Sequence, residues 1–175
     1  MAAPTLLTPR MELRGHGPDD LAACLRLWSD PEVTRYTVGQ PLTRQDVWTR
    51  LLRHPGHWAL LGFGYWLAFD RTTGQLLGEV GLANFKRDSM AAHPAFADVP
   101  EAGWVFFPAV HGQGYASEAV QAVLDWRDKH LAGKQTFCLI DPANAPSLRL
   151  AAKFGFEAAG EVGSGEKRTL VLVRG

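Results

Sequence analysis

The sequence predicts an α/β (α+β) fold with a mixed central sheet of about six to seven strands, flanked by about four helices. From Glu101 onward, strand patterns alternate with helix patterns, as in sheets joined by crossover helices. Before Glu101, two strand patterns separated by a short turn indicate an antiparallel hairpin. The chain has 175 residues and no repeat or Gly/Ser/Pro-rich linker, so we expect a single domain, residues 1–175.

Two helices are predicted in the N-terminal part of the chain. Apolar residues at 21–28 recur at helical spacing, and Pro31 is expected to end that helix. A second helix is predicted at 43–52, and Pro55-Gly56 is expected to break it.

The other predicted elements follow from two-residue alternation in strands and from apolar stripes in helices. In chain order they are a strand at 11–14, a hairpin of 65–69 and 76–85, a long connection at 86–100, a strand at 101–107, a helix at 116–130, a strand at 135–140, a helix at 145–154, and a closing hairpin of 156–162 and 169–174.

Composition and charge exclude several classes of function. Eighteen basic and eighteen acidic residues cancel, so we expect neither nucleic-acid binding nor attraction to a membrane surface. No apolar run has the length of a signal peptide or a bilayer span, which predicts a cytoplasmic protein. Cys24 and Cys138 are predicted to be buried free thiols. No metal is expected, because the histidines show no zinc-binding spacing and His54 and His57 are separated by a helix breaker.

Residues 105–119 run from a strand through a Gly-containing loop into a helix. Gly112 and Gly114 let backbone N–H groups converge without side-chain obstruction, and the helix directs its positive end to the same place. The loop therefore predicts an anion-binding cradle suited to phosphate. The alternative is a pair of glycines that only makes a tight turn into a helix.

Neighbouring residues favour the cradle. The segment resembles the pyrophosphate motif of the GNAT superfamily, (Gln/Arg)-x-x-Gly-x-(Gly/Ala), at Gly114 and Ala116. It departs from the motif at His111, where Gln or Arg is usual. Residues 114–119 resemble the G-Y-A-T-E-A run of the RimJ/RimL-like branch, the ribosomal-protein N-terminal acetyltransferases, with Ser117 replacing Thr.

A second motif carries the same resemblance. Residues 144–156 are similar to the N-x-x-S-x-x-x-x-x-K-x-G-F helix of the superfamily, with Asn144 and Ser147 at the Asn and Ser positions. Asn144 is also the expected helix cap. Residues 78–82 and 101–104 resemble two strands of the same branch. The order and spacing of these segments imply a GNAT-like fold over most of the chain.

The resemblance implies an acetyl-CoA-dependent N-acetyltransferase whose acceptor is a primary amine, either a protein N-terminal α-amine or a small amine. Acetyl-CoA is then a co-substrate. The residues implied to bind it are Phe107, Val110, His111, Gly112, Gln113, Gly114, Tyr115, Ala116, Ser117, Asn144, Ser147 and Lys153. The closing hairpin could pair with another subunit in a homodimer. A catalytically weak acetyl-CoA-binding sensor or regulatory domain remains the alternative function.

The mechanism implied by the resemblance is direct attack of the amine on the thioester, without an acyl-enzyme. In such folds the strand before the cradle borders the thioester, so a backbone N–H within residues 106–109 is the expected donor to its oxygen. Pro108 has no N–H and is excluded.

Two glutamates and one serine are the candidates for proton transfer. Glu101 is the first candidate for the general base, because Gly103 on the same strand face would leave room for a substrate. Glu79 is the second candidate. Ser147 is the candidate general acid, since Ala151 stands where many GNAT enzymes place a tyrosine. The alternative for each is an ordinary hydrogen-bonded residue of a strand or a first helical turn.

Overall fold

The strands of the computed structural model form one mixed sheet. The structure describes residues 2–133, 135–163 and 168–175. The strands are β1 (Leu6–Leu7), β2 (Met11–Arg14), β3 (Tyr65–Asp70), β4 (Leu76–Ala83), β5 (Glu101–Phe106), β6 (Thr136–Ile140), β7 (Glu157–Val162) and β8 (Thr169–Arg174). These eight strands lie in the order β1-β2-β3-β4-β5-β6-β8-β7. Only the pairing of β5 with β6 is parallel among these strands.

Helices lie on both faces of this sheet. They are α1 (Leu21–Trp28), α2 (Pro31–Thr34), α3 (Arg44–Leu61), α4 (Tyr115–His130) and α5 (Ala145–Lys153). The predicted mixed α/β architecture and both predicted hairpins are confirmed, while β1 and α2 were not predicted. None of the helices in the described ranges combines the length and the apolar character that crossing a bilayer requires.

Helix α3 is longer than predicted. Pro55 and Gly56 do not break it, because the helix runs through both residues and stops at Gly62, whose φ of 75° gives a left-handed exit. Proline removes one helical N–H, which weakens the helix locally. Leu51 and Trp58, on either side of the proline, are buried against the rest of the protein. Tertiary packing therefore overrides the local breaker.

Two hydrophobic clusters cover opposite faces of the sheet. Trp66 belongs to the larger cluster with α4, and its neighbour Leu67 belongs to the smaller cluster with α1 and α3. In the larger cluster the rings of Trp58, Trp66 and Trp126 pack edge to face, with centroids 4.7 to 5.3 Å apart. The central strands β3, β4 and β5 are consequently packed on both faces.

Strands β5 and β6 meet at one end and then separate. Glu101 and Phe137 are the single residue pair in register between them, whereas β5 pairs with β4 along its whole length. Beyond Glu101 the edge of β5 that faces β6 therefore has no strand partner. The result is a V-shaped opening in the sheet, with its vertex at Glu101 and Phe137.

Candidate active site

The loop between β5 and α4 presents consecutive backbone N–H groups without internal acceptors. Gly112 and Gly114 have φ angles of 73° and 82°, in the left-handed region that favours glycine. The first backbone bond of α4 joins the N–H of Glu118 to the carbonyl of Gly114 at 3.0 Å. Within the described structure, acceptors are lacking for the N–H groups of Gly112, Gln113, Gly114, Tyr115, Ala116 and Ser117. Such a run at the positive end of a helix is suited to an anion.

Side chains of the same loop bond to backbone carbonyls and leave these N–H groups free. His111 Nε2 lies 3.0 Å from the carbonyl oxygen of Phe106, at the end of β5. Gln113 Nε2 donates to the carbonyl oxygen of Ala109 at 2.8 Å. In the tautomer that carries its hydrogen on Nε2, His111 therefore ties the loop to the strand.

Arg10 braces the start of α4 from outside the loop. Its Nε donates to the Glu118 carboxylate at 2.7 Å, and its Nη1 donates to the carbonyl of Gln113 at 2.9 Å. The guanidinium also lies over the ring of Tyr115, 4.1 Å from the centroid. The Tyr115 hydroxyl donates to the Asp70 carboxylate at 3.3 Å. These contacts fix the loop relative to β2 and β3.

The second motif lies next to the first. Asn144 caps α5, and its Oδ1 accepts the N–H of Ser147 at 3.2 Å. Lys153 Nζ donates to Ser117 Oγ at 2.6 Å and so joins α5 to the first turn of α4. The remaining predicted cofactor-binding side chains pack partly buried against the two hydrophobic clusters: Phe107, Val110, Tyr115 and Ala116.

The free edge of β5 faces Ser147. The N–H of Phe107 donates to the carbonyl of Leu77 in β4 at 2.9 Å. Because backbone groups alternate along a strand, those of Phe106 and Trp104 point the other way, toward the V-shaped opening. The indole Nε1 of Trp104 donates to Ser147 Oγ at 3.2 Å. Ser147 and the open strand edge therefore border the same space.

Glu101 lies at the vertex of the opening in a two-pronged ion pair. Its carboxylate accepts hydrogen bonds from Nε and Nη2 of Arg87, both at 2.8 Å. The Glu101 side chain is 8% exposed and the Arg87 side chain 42% exposed. The Arg87 guanidinium also packs over the ring of Phe85, 4.6 Å from the centroid. An amine that reached the Glu101 carboxylate would therefore also approach Arg87.

Tyr65 fills the space beside Gly103 that was expected to hold a substrate. The prediction of free space, which made Glu101 the first candidate base, was therefore wrong. A Cβ at Gly103 would clash with the hydroxyl of Tyr65, and a Cβ at Gly81 would clash with the Tyr65 backbone. Tyr65 pairs with Gly81, which in turn pairs with Gly103, so the tyrosine crosses one strand to cover the next. Burial raises the pKa of Tyr65, and the phenol is a protonated donor at neutral pH.

Glu79 is enclosed in a buried network. It is 1% exposed, and its carboxylate accepts bonds from Trp28 Nε1 and Arg50 Nη2, both at 3.1 Å. The Nε2 atoms of His54 and His16 lie 3.2 and 3.5 Å from it. Burial alone would raise the pKa of Glu79, but Arg50 and the histidines outweigh burial and lower that pKa well below its usual value. The carboxylate is ionised and shielded from solvent.

The histidine pattern also differs from the sequence expectation. Because α3 continues through Pro55, His54 stacks on His16, with ring centroids 4.2 Å apart and planes 22° apart. His16, His54 and Glu79 bring three ligand atoms within 4.8 Å of one another, a grouping that the spacing of histidines did not predict. Stacked rings cannot both direct an in-plane nitrogen at one ion, and Arg50 already holds the carboxylate. The arrangement fits an ion pair of Arg50 and Glu79 flanked by two histidines better than metal coordination.

Neither cysteine is suited to nucleophilic catalysis. Cys24 and Cys138 are buried and free, as predicted. Burial raises the pKa of both thiols, that of Cys24 to about 12. A thiol in this state is protonated at neutral pH, and the thiolate is the nucleophilic form.

Arg87, Tyr65 and Trp104 were not predicted as site residues. Arg87 lies in the long connection before β5, where no periodic pattern assigns a side-chain direction. The two-residue period places Trp104 on the strand face opposite Gly103, and this pattern could have predicted the side of the sheet on which Trp104 lies. The position of Tyr65 over Gly103 depends on the register of three strands, and sequence spacing does not give that register.

Similarity to known proteins covers most of the chain. Residues 10–157 match the family model described as acetyltransferase (GNAT) domain. The chain is 32% identical over 154 residues to the uncharacterized protein YkkB of Bacillus subtilis (strain 168), which covers 86% of this chain and 83% of that protein. It is 27% identical over 164 residues to an uncharacterized N-acetyltransferase of Bacillus licheniformis, with 93% and 88% of the two chains covered.

Solved structures have the same fold. A GnaT-family acetyltransferase from Bordetella pertussis superposes with a TM-score of 0.86 and 28% identity, over 98% of this chain and 99% of that chain. The ribosomal-protein-S5-alanine acetyltransferase from Vibrio fischeri is similar in fold, with a TM-score of 0.75 and 15% identity, over 98% of this chain and 96% of that chain. The family match includes the cradle loop, β5 and the helix capped by Asn144. The chain therefore belongs to the GNAT family, and it is an acetyltransferase.

Proposed function

We propose that the protein transfers the acetyl group of acetyl-CoA to a primary amine. The observation that carries this proposal is the run of N–H groups without acceptors at residues 112–117, beside the V-shaped opening. The acceptor is a small amine or a protein N-terminal α-amine. A protein N-terminal α-amine is retained because of the fold shared with an S5-alanine acetyltransferase and the resemblance of residues 114–119 to the RimJ/RimL-like branch.

The residues around the cradle fit a pyrophosphate group. The N–H groups of residues 112–117 would hold it at the positive end of α4, and Lys153 beside Ser117 adds a positive charge. Asn144 and the open edge of β5 would border the remainder of the co-substrate. Acetyl-CoA, once bound, would supply an acetyl group activated as a thioester.

Direct transfer is the mechanism that these side chains support. The amine nitrogen forms a bond to the acetyl carbon, the carbon–sulfur bond breaks, and an N–H on the free edge of β5, that of Trp104 or Phe106, donates to the thioester oxygen. Glu101 accepts the proton that the amine loses, directly or through water. The Ser147 hydroxyl donates a proton to the departing sulfur and regains one from solvent. The raised thiol pKa values of Cys24 and Cys138 support transfer without an acyl-enzyme.

Two-substrate kinetics test this proposal. With acetyl-CoA and a panel of amines, we expect intersecting reciprocal plots and equal amounts of released thiol and N-acetyl product. Parallel plots, together with an acetylated enzyme detected by intact mass, would contradict direct transfer. Tight binding of acetyl-CoA without thiol release on any amine would instead support a sensor or regulatory domain.

A further inference from the structure

We propose that the acceptor is a free α-amino acid with an apolar side chain, held in a cavity at the vertex of the V-shaped opening. This inference rests on the proposed function, because it names the acceptor class of the same site. Three features carry it: an apolar cavity of suitable size, a charged pair at its wall, and the position of that pair in the sheet.

The cavity lies under the connection between β4 and β5. This connection packs over the start of β6 and borders a half-open cavity of about 280 Å³. Apolar side chains form most of the wall: Phe85, Met90, Phe96, Val99 and Phe137. Pockets for drug-sized ligands measure roughly 300–1,000 Å³, so this space suits a ligand of amino-acid size. The apolar wall favours an apolar side chain.

A fixed pair of opposite charges lines the same cavity. Arg87 bonds Glu101 through Nε and Nη2, and its Nη1 has no hydrogen-bond partner in the described part of the chain. Each carboxylate oxygen of Glu101 accepts only one of these bonds, which leaves a lone pair for another donor. The other cation at the wall, Lys86, is bonded to Asp98 at 2.8 Å. An ammonium beside Glu101 and a carboxylate beside Arg87 match the two charges of an α-amino acid.

The charged pair is also in the right place for acetyl transfer. Glu101 and Phe137 line the cavity and are the register pair at the vertex of the opening. Three residues along β5 advance roughly 10 Å, which is the distance along the strand from Glu101 to Trp104, whose backbone N–H points into the opening. Tyr65 covers Gly103 at this point, and its ring lies 6.3 Å from that of Phe85 in the cavity wall. An amine at Glu101 would therefore face the edge of β5.

A substrate panel tests the class of acceptor. We expect kcat/KM for L-leucine and L-methionine to exceed that for L-alanine and L-aspartate by at least about tenfold. Each kcat/KM is divided by the fraction of the amine that is neutral at the assay pH, so that differences in amine pKa do not enter the comparison. On that scale L-leucine should exceed L-leucinamide by about tenfold or more, since the amide offers no carboxylate to Arg87. A peptide with N-terminal leucine, which also lacks that carboxylate, should be as poor as L-leucinamide.

Two pairs of measurements locate the site. Ala91 and Ala92 are both exposed, but only Ala91 lines the cavity. Ala91→Trp should raise KM for L-leucine by about tenfold, whereas Ala92→Trp should leave it unchanged, with KM for acetyl-CoA the same in both. Arg87→Gln should abolish the preference of L-leucine over L-leucinamide. A merely structural role of Arg87 would lower both rates together.

The outcomes separate this inference from the proposed function. Faster acetylation of the peptide than of L-leucine, equal rates for L-leucine and L-aspartate, or equal effects of the two tryptophan variants would overturn the inference and leave amine acetylation intact. If no amine is acetylated, calorimetry with L-leucine in the presence of CoA decides. Binding of L-leucine would then support the amino-acid site and contradict the proposed acetyl transfer. Absence of binding would contradict both.

Discussion

Trp104 donates its indole N–H to the hydroxyl oxygen of Ser147 at 3.2 Å, across the space between β5 and α5. This bond uses an acceptor site of the hydroxyl, so its hydrogen stays available. The cap of α5 is made by Asn144, which accepts the Ser147 N–H, and among the described residues no acceptor bonds the hydrogen of the Ser147 hydroxyl. The hydroxyl is therefore not required for capping and is suited to donating a proton into the opening.

The first prediction concerns Ser147. Ser147→Ala should lower kcat by roughly ten- to a thousandfold with little change in acetyl-CoA affinity, because one proton donor is lost. Trp104→Phe is the matched control, since it removes the indole N–H and keeps the hydroxyl, and it should cost much less. Steady-state kinetics with calorimetry measure both effects. Wild-type kcat in Ser147→Ala would leave the serine without a catalytic role.

The second prediction concerns the cradle. Gly112→Asp and Gly112→Asn introduce side chains of nearly equal size at a left-handed position where a Cβ meets nothing within 4 Å. Asn and Asp both tolerate this conformation. Only Asp places a negative charge against the phosphate, so it should weaken acetyl-CoA binding by at least about tenfold more than Asn. If calorimetry gave both variants the same affinity for acetyl-CoA, the phosphate groups would not bind at this loop.

The third prediction concerns the base. Glu101→Gln should cut kcat/KM at neutral pH by about a hundredfold on an α-amine acceptor. The deficit should shrink above about pH 8 on the N-terminal α-amine of a peptide, which is already neutral there, and should persist to about pH 10 on a lysine acceptor. A pH profile of wild type and variant on both acceptors measures this difference.

Glu79→Gln is the comparison for that profile. It leaves the Arg50 charge buried without its partner, so we expect a loss of stability and near-normal kcat in the folded fraction. The opposite pattern, with Glu101→Gln fully active and folded Glu79→Gln inactive, would move the base to β4.

The fourth prediction concerns stability at low pH. Burial lowers the pKa of His54 to about 4, whereas an unfolded histidine titrates near 6.5. Between these values the unfolded chain binds a proton that the folded protein does not, so stability should fall by up to about 3 kcal/mol as pH drops from about 6.5 to about 4. The lowered pKa of Glu79 adds stability above about pH 4.3 that is lost only below it, outside most of this window.

Denaturant unfolding at a series of pH values measures this effect. His54→Gln removes the titrating group, so the free energy of unfolding should depend less steeply on pH between about 6.5 and 4 than in wild type. Equal slopes for the two proteins would show that His54 is not the group responsible.

The sequence predicts the parts of this site that local motifs encode. The loop around Gly112 and the cap at Asn144 depend on residues close in sequence, and the predicted cap is confirmed. The prediction that Pro55 breaks the helix was wrong because the burial of α3 against the sheet outweighs a local breaker. Tyr65 over Gly103 was missed because strand register, a tertiary property, brings the two residues together.

The acceptor side depends on long-range packing to a greater degree. Arg87 pairs with Glu101 across a connection whose short helical turns have no apolar period, so its direction could not be predicted. The network around Glu79 likewise joins residues from β4, α1, α3 and the loop after β2. Buried polar partners from four segments leave no common spacing in the sequence.

The central claim is that this opening transfers acetyl from acetyl-CoA directly to an amine. The most direct test incubates the protein with acetyl-CoA labelled in the acetyl group and with L-leucine, then analyses product, thiol and intact protein by mass spectrometry. The account predicts one labelled N-acetyl product for each CoA thiol released, with the mass of the protein unchanged. Bound acetyl-CoA with neither thiol nor labelled product, on L-leucine and on every other amine tested, would contradict it.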